Sequence, residues 1–300
     1  MQTHFEMHHL ILDWFSRKGR VFPWRYDSPD PYHVLISEYM LQQTQTTRIA
    51  ERYPIFLAKF PNILSLSKAS NQEIILAWQG LGYNNRALRL RDCANAIVNM
   101  HEGKIPVDYH ALLSLPGIGP YTASAIMSFA YGCDISVIDV NIRRIYARLN
   151  GYSHLDKMSI KSIESFAEQI YPKGKSSEWH QALMDIGAQF CKAHQALCAL
   201  CPLQEHCASA FNVWIEKKKV KRNEPSHRNI PNRIWRGRII EFLRNTNEYL
   251  SDSSDLLRGV LGVSIDDKDQ TWFEETIVPA LKKDRLIHYD SSTNVISISQ

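Results

Sequence analysis

Four cysteines fall within a short stretch, Cys191, Cys198, Cys201 and Cys207, spaced C-x6-C-x2-C-x5-C. Thiolates are strong metal ligands, and in a chain without secretory features such clustering favours metal ligation over disulfides. Only Cys198 and Cys201 have the knuckle spacing common in zinc sites. Four thiolates on one short excursion can equally wrap a [4Fe–4S] cube. The spacing ranks the iron–sulfur cluster ahead of zinc and leaves both open. Cys93 and Cys133 stand alone in apolar surroundings and are expected to be buried thiols.

A second chemical signal is the run Leu115-Pro116-Gly117-Ile118-Gly119-Pro120-Tyr121-Thr122-Ala123. Two glycines one residue apart permit a positive φ and a bare backbone. The apolar helix expected from about Tyr121 adds free N–H groups and a positive dipole end. Together they could hold a DNA phosphate without reading sequence, the logic of a helix-hairpin-helix motif. Any tight turn between helices can contain G-x-G, so this run alone is of moderate specificity. Twenty residues on comes Val137-Ile138-Asp139-Val140-Asn141-Ile142-Arg143-Arg144. Taken singly, Asp139 reads as a helix N-cap and Glu38 as an ordinary surface acid.

The elements that must position these residues are helical up to about residue 210. Leu10, Ile11, Trp14 and Phe15 follow helical spacing, as do Leu35, Ile36, Met40 and Leu41 after Asp30-Pro31. Further helices are expected over Asn71–Trp78, Tyr83–Met100 and Tyr109–Ser114, with Gly80-Leu81-Gly82 and Pro106 as breaks. No alternating strand run occurs in this part. Beyond it, Arg233–Arg244, Ser254–Val260 and Thr271–Lys283 read as helices, and Arg285–Tyr289 with Asn294–Ile298 reads as a β-hairpin. That order suggests a winged-helix domain, with a small α+β packing or dimerisation module as the alternative.

The 300 residues carry 35 basic and 31 acidic side chains, a net charge of +4, with 44% hydrophobic and 22% charged residues. This is ordinary globular composition and excludes disorder, collagen and low complexity. No stretch approaches the ~20 apolar residues of a membrane span, and the first twenty lack a signal-peptide core, so a cytoplasmic protein is expected. Charge is unevenly placed. Between Lys217 and Arg238 nine Lys and Arg, among them Lys217, Lys218 and Lys219, face the single acid Glu224. Attraction to a polyanion would concentrate there, unless the segment is simply a solvated linker.

The hairpin run, an Asp at the head of the next helix and the four-cysteine loop, in that order, resemble the endonuclease III superfamily (HhH-GPD) of DNA glycosylases. Phe22-Pro23-Trp24-Arg25, Asp30-Pro31-Tyr32, Ser37 to Thr46 (SEYMLQQTQT), Gly80-Leu81-Gly82-Tyr83 and Ala182 to Ala188 (ALMDIGA) narrow the likeness to its A/G-mismatch adenine glycosylase (MutY-type) branch. The resemblance covers roughly residues 8 to 210 in collinear order.

It implies a mainly α fold of two lobes with a DNA-binding cleft between them. A glycosylase core over 1–212 would comprise a helical barrel at about 28–135 and an iron–sulfur lobe of 1–27 with 136–212. A basic linker, 213–232, and a winged-helix-like domain, 233–300, would follow. The resemblance also implies a [4Fe–4S] cluster on Cys191, Cys198, Cys201 and Cys207, structural rather than redox-active. Glu38 matches the general acid that protonates the purine, and Asp139 the carboxylate that stabilises an oxocarbenium-like sugar, with Asn141 and Tyr121 beside them. Tyr121 stands where strand-cleaving members carry a Lys, so a monofunctional enzyme that leaves an abasic site is expected. Gly117 and Gly119 would hold phosphate. Gln42, Gln43 and Thr44 would make gap-filling and opposite-base contacts while a base is flipped out. Leu81 would be the wedge and Tyr83 the inserting ring, with Trp24 and Arg25 near the lesion pocket.

Three departures stand out. Val140 replaces the Gly usual after the catalytic Asp, Asn84 replaces the second Tyr of Gly-Leu-Gly-Tyr-Tyr, and the C-terminal segment is too short and too helical for the family's Nudix-like domain. The expected activity is excision of a mispaired base, adenine opposite guanine or 8-oxoguanine, by a monomer acting on mismatched or damaged double-stranded DNA. The alternatives are removal of thymine, uracil or a modified base opposite guanine, and an inactive iron–sulfur DNA-binding protein.

Overall fold

Apolar residues at helical spacing, broken by short polar turns, produce the helices α1 (Gln2–Lys18), α2 (Pro31–Leu41), α3 (Thr46–Lys59), α4 (Ile63–Ser67), α5 (Asn71–Ala77), α6 (Asn85–His101), α7 (Tyr109–Ser114), α8 (Pro120–Tyr131), α9 (Val140–Leu149), α10 (Ile160–Ile170) and α11 (Ser176–Gln189). This computed structural model describes residues 2–25, 30–152, 158–212, 224–246, 250–262 and 264–300, and side chains from residue 5 onward. Lys217, Lys218 and Lys219 lie outside the described residues. Among the described residues no helix is long and apolar enough to cross a membrane.

The chain divides into two units. The first comprises Met1–Glu38, Pro106–Ser114 and Ile118–Lys219; the second comprises Tyr39–Ile105, Leu115–Gly117 and Val220–Gln300. The lobe boundary expected at about 135 does not coincide with this division. Helix α8 groups with the first unit, where Ser128 and Ser176 hydroxyls meet at 2.9 Å.

In the first unit, Met7 and Ile11 of α1, Ile142, Ile145 and Tyr146 of α9, Ile163 and Ala167 of α10 and Trp179, Leu183 and Ile186 of α11 form one core. Gly187 decides how closely α11 approaches the start of α9, because a Cβ built there would lie 2.6 Å from Asn141 Cβ. After α11 the chain makes two short 3-10 turns, Cys198–Leu200 and Gln204–His206.

In the second unit, helices α3 to α6 bury Ile49, Tyr53, Phe56, Trp78, Leu88 and Leu90. Cys93 is buried there as expected, whereas Cys133, in the first unit, is only half-buried. The C-terminal module begins with a ribbon of β1 (Ser226–His227) and β2 (Ile230–Pro231). It continues through α12 (Asn232–Arg244), β3 (Leu250–Asp252), α13 (Ser253–Leu261), α14 (Asp267–Trp272), a π turn (Phe273–Ile277), α15 (Val278–Lys283), β4 (Ile287–Asp290) and β5 (Val295–Ile298). The antiparallel sheet has the order β3-β5-β4, with Ser251 and Tyr289 flanking Ile296. The module is thus a small C-terminal region of helices and short strands. Strands β1 to β3 escaped sequence reading because two or three residues show no alternation. The third helix starts earlier than Thr271 because Asp266 and Asp269 form a capping box.

Closely packed Gly187 and open Gly237 make opposite predictions. Gly187→Ala should lower stability by about 1–3 kcal/mol, the usual range for overpacking. Gly237→Ala, inside α12 with nothing within 4 Å of the added Cβ, should raise it by up to about 1 kcal/mol. Denaturant unfolding of both variants checks this, and like-signed shifts would contradict the packing described.

Candidate active site

Glu38 lies in α2 between Ile36 and Met40, a run so apolar that the carboxyl is only 5% exposed. Its hydrogen-bond partner is the hydroxyl of Tyr121, in the first turn of α8. The other oxygen, Oε2, is buried without a partner among the described residues. Burial pushes the Glu38 carboxyl up to about 7, the Tyr121 bond and the Arg25 charge pull it down, and the charge of Asp139 adds to the rise. Burial of this kind shifts the carboxyl toward its protonated form. Burial and the two carboxylates drive the Tyr121 phenol well above its ordinary value, so it remains a donor.

Asp139 is the N-cap of α9. Its Oδ1 accepts from Ile142 N at 2.7 Å and its Oδ2 from Asn141 Nδ2 at 2.8 Å. The capping role that the sequence suggests is therefore real, and it also fixes the carboxylate. Burial raises Asp139 against the downward pull of those bonds. Arg144 Nη2 in turn donates to Asn141 Oδ1 at 2.9 Å and to Gly187 O at 3.1 Å, while its Nε donates to Cys191 O at 2.7 Å. Val140, in place of Gly, is 72% exposed in the first turn of α9 and leaves the cap undisturbed.

The guanidinium of Arg25 is committed within the protein. It donates to Asp185 Oδ2 at 2.9 Å, to Asp185 Oδ1 at 3.0 Å and to Arg20 O at 2.9 Å, beneath the rings of Phe15 and Phe22. Fully buried Asp185 also accepts from Arg20 N and Nε at 2.7 and 2.9 Å. Arg25 thus sets the field around Glu38 from a fixed position. Trp24 is buried and stacks on Phe22 at 4.7 Å.

The second unit gathers the residues expected to read DNA. Gln43 is exposed, and Gln42 and Thr44 are half-buried. Leu81 is only 3% exposed and Tyr83 is 52% exposed. Gln43 and Tyr83 have positive φ, 59° and 46°, strained for residues with side chains. Both loops converge on buried Arg86. Its Nη1 donates to Tyr39 O, Met40 O and Gln42 O at 2.9, 2.9 and 2.5 Å. Its Nη2 reaches Thr44 Oγ1 at 2.8 Å and the carbonyls of Leu81 and Gly82 at 3.1 Å each. Gln43, Thr44, Arg48, Leu81 and Tyr83 line a groove of about 530 Å³ with Arg233 and Arg236 of α12. In the hairpin Gly117 has φ 79°, and its Cα faces the hydroxyl of Tyr39, which donates to Pro116 O. Gly119 is the extended N-cap of α8, followed by Pro120 at the first helical position.

Cys191, Cys198, Cys201 and Cys207 line one small cavity with Arg148, Phe190 and Gln204. Burial and the neighbouring thiols push Cys201 up to about 12. Four soft donors around one cavity suit a thiophilic centre that would stabilise the thiolate forms. Arg148 Nη1 approaches Cys191 Sγ at 3.3 Å. Among the described residues no three His, Cys, Asp or Glu side chains form a preset metal-holding group.

Asp185, Arg86 and Arg144 were not singled out from the sequence. The only signal for Asp185 is an acid in the apolar run ALMDIGA; Arg86 and Arg144 look like ordinary exposed-face arginines until the fold buries them.

Residues 36–172 match the profile of the HhH-GPD superfamily base excision DNA repair proteins. The adenine DNA glycosylase of Mycolicibacterium smegmatis is 32% identical over 239 residues, covering 79% of this chain and 80% of that protein. The adenine DNA glycosylase of Mycobacterium tuberculosis is 34% identical over 236 residues, covering 78% and 77%. Among solved structures, a thermostable thymine-DNA glycosylase superposes with a TM-score of 0.65 at 29% identity, covering 70% of this chain and 98% of that one. On these grounds the chain belongs to the HhH-GPD superfamily of base excision repair proteins, in its adenine DNA glycosylase branch.

Proposed function

We propose that this protein is a monofunctional DNA glycosylase that removes adenine mispaired with guanine or 8-oxoguanine from double-stranded DNA and leaves an abasic site. The observation that carries the reading is a carboxyl, Glu38, held protonated near neutrality beside a second carboxylate, Asp139, that is fixed at a helix N-terminus. Breaking the bond between C1′ and the purine nitrogen moves an electron pair onto the base and leaves positive charge on the sugar. Glu38 gives its proton to the departing adenine, and the Asp139 carboxylate lies against the oxocarbenium-like sugar. Glu38, now ionised, takes a proton from the water that adds to C1′. Tyr121 offers a phenol and no amine, so no Schiff base forms and the strand stays intact.

Extrusion of the base is assigned to Gln42, Gln43, Thr44, Leu81 and Tyr83. The amides around Gly117 and Gly119, with the positive end of α8, hold a phosphate. Cys191, Cys198, Cys201 and Cys207 would hold a [4Fe–4S] cluster, whose contribution is covalent cross-linking of the loop that follows α11.

Three measurements test this reading. Duplexes carrying A·8-oxoG, A·G, T·G and U·G, treated with alkali after incubation, should yield abasic sites at the adenine mispairs; product only from the pyrimidine mispairs would overturn the adenine assignment. The single-turnover rate should fall as pH rises through about 7, because the acting form of Glu38 is protonated. Glu38→Gln should lower that rate by roughly 10²–10⁴-fold, and a pH-independent rate would remove Glu38 as the acid. Protein purified without oxygen should contain iron and acid-labile sulfide in equal amounts, whereas stoichiometric zinc would overturn the cluster.

A further inference from the structure

The C-terminal module is joined to the second unit's helices through polar contacts at separate points. Asn71 Nδ2 donates to Ser299 Oγ and Gln300 O at 3.1 and 2.9 Å, Gln79 Nε2 donates to Glu241 Oε1 at 2.6 Å, and Arg285 pairs with Asp92. The deepest contact is Arg244, the last residue of α12, whose side chain is 5% exposed. Its Nη2 donates to Ile75 O at 2.7 Å and to Asn84 Oδ1 at 2.9 Å, and its Nη1 to Glu241 Oε2 at 2.9 Å. Asn84 is itself buried and follows Tyr83 directly. It is also the position at which this chain departs from the Gly-Leu-Gly-Tyr-Tyr pattern.

The helical stretch from α14 through α15 of the module carries exposed charges of both signs. Asp266, Asp267, Glu274 and Glu275 are exposed along it, beside Lys268, Lys282 and Lys283. The mixed signs give a polyanion no concentrated positive seat there. The turn that Arg244 reaches, by contrast, contains Tyr83 at φ 46°. Such a backbone persists only where its surroundings over-determine it. Arg86 bonds the carbonyls of Leu81 and Gly82 from one direction, Trp78 Nε1 bonds Gly82 O at 3.2 Å, and Arg244 secures Asn84.

We propose that Arg244 is a positioning residue for mispair reading: through Asn84 it braces the Gly80–Asn84 turn in the conformation that exposes Tyr83, so the C-terminal module governs selectivity through this contact. The brace follows from the contacts alone; that the turn reads mispaired DNA rests on the function proposed above.

Two readouts keep those apart. Hydrogen exchange of the free protein tests the brace whatever the substrate is. In Arg244→Met the bonded amides of Leu81, Arg86 and Ala87 should exchange about tenfold faster, the worth of one hydrogen bond to a charged group, with β3–β5 amides unchanged. Asn84→Ala, a smaller change, should do the same, the double variant no more than either single one, and Arg244→Lys should restore part of the protection. Uniform acceleration across the protein, or none, would overturn the brace. In binding to A·G against A·T duplexes, the preference for the mispair should drop about tenfold in both variants. Preference retained while local exchange accelerates would overturn the link to reading.

Discussion

The proposed reaction asks the Glu38 carboxyl to carry a proton near neutrality, and burial is the interaction that raises it. Glu38 is surrounded by the apolar face of α2 and capped by a phenol rather than a cation. The nearest strong cation, Arg25, is prevented from forming an ion pair with Glu38 because buried Asp185 engages it in two hydrogen bonds. A closer approach of that guanidinium would pull the Glu38 carboxyl further down. Asp139 meets the opposite need. It gains two hydrogen bonds at the start of α9 and keeps its charge closer to the ordinary carboxylate range than burial alone would allow. Burial raises both groups, and Asp139 has the bonds from Ile142 and Asn141 to oppose the rise where Glu38 has the Tyr121 hydroxyl.

The second unit solves a problem of shape rather than of charge. Gln43 and Tyr83 have backbone conformations that side-chain-bearing residues seldom adopt. Arg86 accepts a desolvated position, its guanidinium pulled down to about 10 by burial, in return for six carbonyl and hydroxyl partners on two loops. A flexible Lys could not span the same set, since only a planar fork presents donors to several carbonyls at once.

The helical core was legible in the sequence because 3.6-residue periodicity survives wherever one face is buried, and the hairpin and the four cysteines were legible because their spacing is local. Glu38 was not: nothing in SEYML marks its burial, and only the resemblance pointed to it. Asp139 was legible as a cap and, without the resemblance, as nothing more. Asp185, Arg86 and the Arg244–Asn84 bond could not be read locally, because their partners come from distant segments and their meaning arises only when the fold excludes water from them. The short strands β1 to β3 were missed for lack of length, and the early start of the third module helix was missed because its cap is built from acids that also read as a loop.

Helix α9 carries the Asp139 cap at its first end, and from its successive turns Arg144 and Arg148 reach the loop that begins at Cys191. The two ends of this ten-residue helix are therefore mechanically linked. A change that loosens the cysteine loop alters the seat of Arg144, hence the tilt of Asn141, hence the aim of Asp139. In the proposed reaction the cysteine loop, though remote from any base, thereby helps to aim a carboxylate at a sugar.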